Sequence, residues 1–359
     1  MSQDPRRLVA RGRREYLLRE IALRGNVRAA TVAEHLGVSE ATVRRDIVHL
    51  DAEGLLVRVH GGAISVPTSR RVEPAKTLIG VVVPDDAYHF QDAVLGMRAA
   101  AVAGGGRLVV GVSQFQAERE AQQVARLVKL GVHGLIISPT HRGSPDAQLQ
   151  RVLEQAGIPV VLFERAFDQS ALLASFDCVR TDDVRGAMMA VEHLAPPAQG
   201  AVGLAIYDQT PTAPLIREGY EQAVANKNLD RGPVVVLPKG EEDPAALDAR
   251  LLQVLEACMR DDVHAVLVHP DRHAARLIEL AMDRGVKVPE DVAIVAYDDI
   301  FAEHALVPLS AITAPRRELG RLAVRTLLER IAQAAQGESS APQHVQLLPT
   351  LTIRESSLR

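Results

Sequence analysis

Between Glu40 and about Glu53 the apolar residues Val43, Ile47 and Leu50 fall at i, i+4 and i+7, one stripe of a helix. The opposite face carries Ala41, Thr42, Arg45 and His49, with Arg44 on its flank. These are small or hydrogen-bonding side chains around a guanidinium, with no acid among them. Ser39 stands where an N-cap belongs, and Gly54 sits just past the end. Upstream, Val27 to Leu36 predicts a short helix and Gly37-Val38 a tight turn. A further helix is predicted from about Arg11 to Arg24, with Leu17, Leu18 and Ile21 inward and Gly25-Asn26 as its stop. Two short helices joined by a turn, the second with a basic outer face, predict a helix-turn-helix. After Gly54, Leu55 to Val59 alternates like a strand and His60-Gly61-Gly62 can turn, which predicts a wing.

Ile64 to Thr77 contains two prolines, scattered charge and no period, and reads as a linker. From Leu78 apolar runs alternate with amphipathic stretches. The runs are Leu78–Val83, Leu108–Val112, Gly134–Ser138, Val160–Phe163, Val202–Ile206, Val234–Leu237, Ala265–Val268 and Val292–Ala296, with Phe176–Arg180 weaker. Helices are predicted at Glu118–Leu130, Ala147–Gln155, Asp183–Leu194, Ile216–Asn226, Ala245–Met259 and Arg272–Arg284. This alternation predicts α/β architecture with mostly parallel sheets covered on both faces. A segment of ~280 residues divides more readily into two lobes than into one sheet. Loops after the strands would then line a cleft between the lobes.

Composition adds an asymmetry. The net charge of −4 conceals a balance of +5 over residues 1–76 and −9 over the rest. A basic head on an acidic body suits a protein whose head alone meets a polyanion. The two cysteines, Cys178 and Cys258, make no disulfide framework and fit a reducing compartment. No targeting segment and no membrane-spanning apolar run is visible, so the expected location is cytoplasmic, with no membrane partner.

Other signals lead nowhere catalytic. Gly104-Gly105-Gly106 precedes a strand, so it reads as a turn and not as a dinucleotide fingerprint. His269 and His273 share a helix-like spacing but lack a third metal ligand, and Pro270 interrupts them. The acid pairs Asp182-Asp183, Asp261-Asp262 and Asp298-Asp299 could suggest acid–base chemistry. Acids at a helix N-terminus explain the first pair more simply. Asp46 lies toward the apolar side, where it is expected to pair with an arginine and not to meet phosphate. No enzyme activity, cofactor or metal is expected.

Ser39, Thr42 to Asp46, Leu50 and Gly54 through Ala63 together resemble the winged helix-turn-helix of DeoR-type bacterial transcriptional regulators. The chain from Leu78 onward resembles the effector-binding domain of LacI-type regulators, itself similar to periplasmic sugar-binding proteins. The runs that carry this likeness are GVHGLIISP (131–139), IPVVLFER (158–165), VRTDDVRGAMMAVEHL (179–194), IREGYEQAV (216–224), HPDRHAARLIELAMDRGVKVPEDVAIVAYDDI (269–300) and VPLSAITAPRRELGRLAVRTLLERI (307–331). The resemblance implies an α/β fold of two Rossmann-like subdomains, periplasmic-binding-protein-like of type I, behind an N-terminal winged helix-turn-helix. It places the DNA-binding domain at 1–63, the linker at 64–77 and the effector domain at 78–359. The first lobe would span about 78–164 plus 299–325, and the second about 166–297 plus the C-terminal segment.

Carried onto this chain, the family's effector contacts fall on Arg165, Arg217, Asp271 and Asp298. Asp86, Tyr88, Ser113 and Tyr207 are further candidates from the post-strand loops. Guanidinium groups donating to hydroxyl oxygens, with carboxylates accepting from hydroxyls, suit a sugar. Thr42, Arg45 and His49 are expected near base edges, with Ser39 opening their helix; Arg44, Arg58 and His60 are expected at phosphates or the adjacent groove. The chain departs from the LacI pattern at Pro270, where an asparagine is usual, at Ala296, Ala314 and His133, and in lacking a hinge helix within 64–77. The expected protein is a homodimeric repressor that binds a double-stranded operator under control of a sugar. The rival readings are a sugar-converting enzyme with a vestigial winged helix and an exported binding protein, which the missing signal peptide disfavours.

Overall fold

The computed structural model describes residues 13, 14, 16–18, 20, 21, 26–52, 55–59, 61–64, 77–85, 89–140, 147–165, 175–195, 200–239 and 243–358. The chain forms two compact units, 1–74 and 75–359. In the first unit the described positions between Arg13 and Ile21 are helical. β1 (Asn26–Arg28), α1 (Ala29–Leu36), α2 (Glu40–Ala52), β2 (Val57–Val59) and β3 (Gly62–Ile64) follow. The strands pair antiparallel in the order β1-β3-β2. Leu17, Ile21, Val32, Leu36, Val43, Ile47, Leu50 and Leu56 bury together as one core.

The helix expected from Val27 begins only at Ala29, because Asn26–Arg28 pairs with β3, Val27 opposite Ala63. Gly62 permits that approach. A Cβ there would sit 1.9 Å from the Val27 carbonyl oxygen, closer than any side chain tolerates. The segment read as a linker lies outside the described residues apart from its two ends.

The second unit holds two six-stranded sheets. β4 (Thr77–Val83), α3 (Gln91–Ala103), β5 (Gly106–Val112), α4 (Ala117–Leu130), β6 (Gly134–Ile137), α5 (Ala147–Ala156), β7 (Val160–Phe163) and β8 (Asp177–Thr181) build the first. α6 (Asp183–Leu194), β9 (Ala201–Tyr207), α7 (Ala213–Asn226), β10 (Asp230–Leu237), α8 (Pro244–Arg260), β11 (Ala265–His269), α9 (Asp271–Asp283), β12 (Ala293–Tyr297) and β13 (Ser310–Thr313) build the second. α10 (Arg316–Gln336), β14 (His344–Leu347) and β15 (Thr350–Thr352) complete the chain. The orders are β14-β8-β7-β6-β4-β5 and β10-β9-β11-β12-β13-β15. All pairs are parallel except β13 with β15.

The lobe boundaries differ from expectation in three places. β8 falls inside the stretch assigned to the second lobe but extends the first sheet beside β7. Its first residue, Asp177, accepts two 2.7 Å bonds from Arg330 of α10, which ties the strand to the first lobe. β13 falls inside the stretch assigned to the first lobe but pairs with β12 in the second sheet. The C-terminal segment is shared, since β14 joins β8 and β15 joins β13. The chain therefore passes between the lobes three times, near Asp182, near Pro315 and near Leu348.

α10 returns to the first lobe and packs on α3 through two glycines. A Cβ on Gly96 would lie 2.2 Å from the Arg317 carbonyl oxygen, and one on Gly320 would lie 2.1 Å from that of Ala93. The backbones thus touch where no methyl fits. Gly320→Ala is expected to force the helices apart and destabilise the second unit by ~1–3 kcal/mol or more. Arg321→Ala, at an exposed neighbouring position, should stay within ~0.5 kcal/mol. Urea melts of the two variants check this, and equal midpoints would refute it.

Candidate functional site

In the first unit Ser39 opens α2. Its Oγ accepts from the Thr42 amide at 3.2 Å and lies 2.8 Å from the Thr42 hydroxyl, so the first turn is capped and Thr42 is held. Gly37 supplies the left-handed residue of the turn, with φ +62°. Asp46 is buried and accepts from Arg13 Nε at 2.9 Å and from Arg14 Nε at 3.4 Å. As expected, it anchors the preceding helix and faces away from the outer surface. That surface presents Ala41, Arg44, Arg45, Val48 and His49, all exposed. Arg44 leans on Glu40 in an exposed ion pair at 2.6 Å, which solvent screening makes weak and easy to exchange for phosphate. Arg58 is exposed on β2, its amide fixed by Asp51 at 3.0 Å. His60 lies outside the described residues. Arg44 and Arg45 on α2 and Arg58 on β2 are thus all exposed, on the two elements that meet DNA in winged helices.

In the second unit a narrow cavity opens between the lobes at the carboxyl ends of the strands. His89, Glu164 and Thr181 line it from the first lobe, and Asp183, Thr212, Tyr297, Asp298, Ile312 and Ala314 from the second. Two of its acids, Glu164 and Asp298, hold φ of +50° and +74°. Backbone strain of this kind in residues other than glycine gathers where function fixes a side chain.

The acids have distinct environments. Glu164 accepts from the Thr181 hydroxyl at 2.8 Å and its amide at 3.1 Å. Burial pushes its carboxyl up nonetheless. Asp183 accepts from the Tyr297 hydroxyl at 3.0 Å. Burial and then the neighbouring Glu164 push it well above the usual carboxylate range. Asp298 is also pushed up by burial, but His89, Arg316 and His269 outweigh this and hold it low. It accepts from Arg316 Nη2 at 3.0 Å and lies 3.7 Å from His89 Nδ1. Burial, then Arg316, hold His89 down to about 4.

Among the described residues of this unit several buried polar atoms have no partner: Ser113 Oγ, Ser138 Oγ, Thr140 Oγ1, His269 Nδ1, His273 Nδ1 and Arg316 Nε. Ser113 and Ser138 follow β5 and β6, and His269 ends β11. Buried donors and acceptors are rarely left unmade, and one of these atoms, Arg316 Nε, belongs to the guanidinium that holds the cavity-lining Asp298.

The sequence-based candidates divide. Asp298 lines the cavity, and Ser113 offers an unspent hydroxyl. Arg165 is buried but donates to the Pro139 and Glu164 carbonyls at 2.6 and 2.7 Å, so part of its fork holds the loop. Asp271 is 2 % exposed, and its Oδ2 accepts from the amides of Ile300 and Phe301 at 2.7 and 2.6 Å. That oxygen shapes the loop after β12. Tyr207 is buried edge-on to the His273 ring. Arg217 is half-buried on α7, without a hydrogen bond to a described residue. Asp86 and Tyr88 lie outside the described residues. Sequence reasoning missed His89, Glu164, Thr181, Asp183, Tyr297 and Arg316. The Asp182-Asp183 pair was one visible signal: the first acid caps α6, accepting from Arg185 N at 3.0 Å, while the second turns into the cavity.

Among the described residues no group of three His, Cys, Asp or Glu is placed to hold a metal, and no helix is long and apolar enough to cross a membrane. The DeoR-like helix-turn-helix domain matches residues 13–69, and the periplasmic binding protein-like domain matches residues 191–357. The arabinose metabolism transcriptional repressor of Geobacillus stearothermophilus is 26% identical over 309 residues, covering 84% of each chain. The HTH-type transcriptional repressor CytR of Escherichia coli is 26% identical over 341 residues, covering 92% of this chain and 94% of its own. Among solved structures, a transcriptional regulator CelR–cellobiose complex aligns with a TM-score of 0.65 at 22% identity, covering 98% of this chain and 100% of the other. The chain is thus a transcriptional regulator that joins a DeoR-like helix-turn-helix DNA-binding domain to a periplasmic binding protein-like domain.

Proposed function

We propose that the protein is a cytoplasmic homodimeric repressor whose grip on operator DNA is set by a sugar-like effector held between the lobes of its second unit. The observation that carries this reading is a cavity between the lobes at the strand ends, lined by His89, Glu164, Asp183 and Asp298, on a chain that also presents Arg45 on an exposed recognition helix. Thr42, Arg45 and His49 read base edges; Arg44 and Arg58 hold phosphates. Ser113, Arg217 and Asp298 contact the effector, with Arg165 and Asp271 shaping the loops around it. Relatives named as repressors, one of arabinose metabolism, and a solved relative described with cellobiose support the reading of a sugar as effector. They also weigh against an enzyme with a spare winged helix.

A lone winged helix contacts little DNA, so two copies on paired half-sites supply the affinity. Effector binding closes the lobes and shifts the spacing of the two heads. The effector must favour one arrangement, by about 1–3 kcal/mol in coupled systems of this kind.

Arg45→Ala should abolish specific binding to the DNA upstream of the protein's own gene. Arg217→Ala should spare that binding and lose the response to sugar. Gel shifts at fixed salt, with and without a sugar panel, separate the two; equal loss of DNA binding in both variants contradicts the assignment.

Buried carboxyls also link stability to pH. The folded pKa of Asp183 is raised above its unfolded value, so folding favours the protonated acid. Its contribution is complete below the ordinary aspartate range and is lost as pH rises through the folded value. Asp183→Asn removes this slope. Thermal melts from pH 5 to 8 should show wild type falling relative to the variant, and parallel curves would exclude the linkage.

A further inference from the structure

Arg316 opens α10 from the first-lobe side of a crossing, yet its guanidinium reaches the second-lobe Asp298. It is 8 % exposed. Nη2 donates to Asp298 Oδ1 at 3.0 Å, while Nε, on the same edge of the guanidinium, is buried and has no acceptor among the described residues. A carboxylate normally takes both donors of that edge. Asp298 takes one, from a backbone at φ +74° that side chains other than glycine rarely adopt. The helix behind is 21 residues long, and Pro315 at its N-cap supplies no side-chain cap, so its positive end also faces this point.

We propose that the effector carries a carboxylate, and that this group takes the place of Asp298 on Arg316. The inference rests on the reading of the cleft as an effector site and names the effector's class, a sugar acid. Its carboxylate completes the fork on Nε and Nη2, and its hydroxyls donate to the released Asp298. A neutral sugar could fill Nε alone and would leave the ion pair between the lobes intact. A phosphate would bring nearly two charges where one is exchanged. The added charge is offset at His89, which lies 3.7 Å from Asp298 and feels the charges of Arg316, Arg165 and His269. Burial and then Arg316 keep His89 unprotonated; once the effector neutralises Arg316 the second of these weakens, so proton uptake on binding is the expected sign. The ion pair that spans the lobes is thereby exchanged for contacts to the ligand, which is how occupancy reaches the lobe geometry.

Calorimetric titration of the full-length protein tests this with D-gluconate and D-galacturonate against D-glucose, D-galactose, cellobiose and glucose 6-phosphate. Two buffers of unlike ionisation enthalpy report proton uptake. Binding of an acid with proton uptake, weakened about tenfold or more in Arg316→Gln, supports the proposal. Asp298→Asn tolerates the left-handed backbone and removes the internal competitor, so it should tighten acid binding; weakening in that folded variant counts against the exchange. If the neutral sugars or the phosphate bind and the acids do not, the proposal falls and the effector cleft stands. If nothing in the panel binds, both fall. Acid binding that Arg316→Gln leaves unchanged also overturns it.

Discussion

Three chain crossings tie the two sheets of the second unit together, and the character of the cleft follows from them. A crossing cannot be a strand of either sheet, so its residues lie in the gap and bring side chains there from both directions. Asp183 follows the first crossing and Arg316 the second. Both are ionisable and buried. A single crossing would let one lobe swing about a point. Three constrain that motion, and a ligand acts through exchanges of contacts within the gap.

Those exchanges are electrostatic. Aromatic content of 3% and the absence of tryptophan leave little for stacking on a sugar ring, and the cavity is lined mainly by acids, hydroxyls and Tyr297. Low dielectric strengthens each pair and raises the cost of each unpaired group. The result is a site whose protonation state is part of its structure. Asp183 is driven toward its neutral form while Asp298, only one strand end away, is held ionised by the groups facing it. Two like residues in one cavity thus have opposite roles, decided by their neighbours.

Much of this was legible in the sequence. The apolar stripe of Val43, Ile47 and Leu50 placed the recognition helix, and Asp46 was correctly turned toward arginine. Apolar runs located the central strands because a strand buried on both faces needs no partner to reveal it. The edges were less visible. β14 reads HVQL, half polar, and becomes a strand only because β8 offers it an open edge. β1 likewise depends on Gly62, distant in sequence. The cavity was read partly, since spacing shows which residues follow strands but not which spend their donors on the backbone. Arg165 and Asp271 are both near the site and both largely committed to loops. Arg316 was hidden in a helix start, where its charge looks like ordinary solvation.

The last sixteen residues have a mechanical meaning. β14 adds to the edge of one sheet and β15 to the other, and beyond them Ser356 Oγ donates to the Ile294 carbonyl at 2.6 Å while Ser357 Oγ donates to Ser310 Oγ at 2.7 Å. The tail is a strap buckled at both ends with only two residues of slack. It fixes how far the two sheet edges that it joins can separate, so any relative motion of the lobes must pivot close to this link.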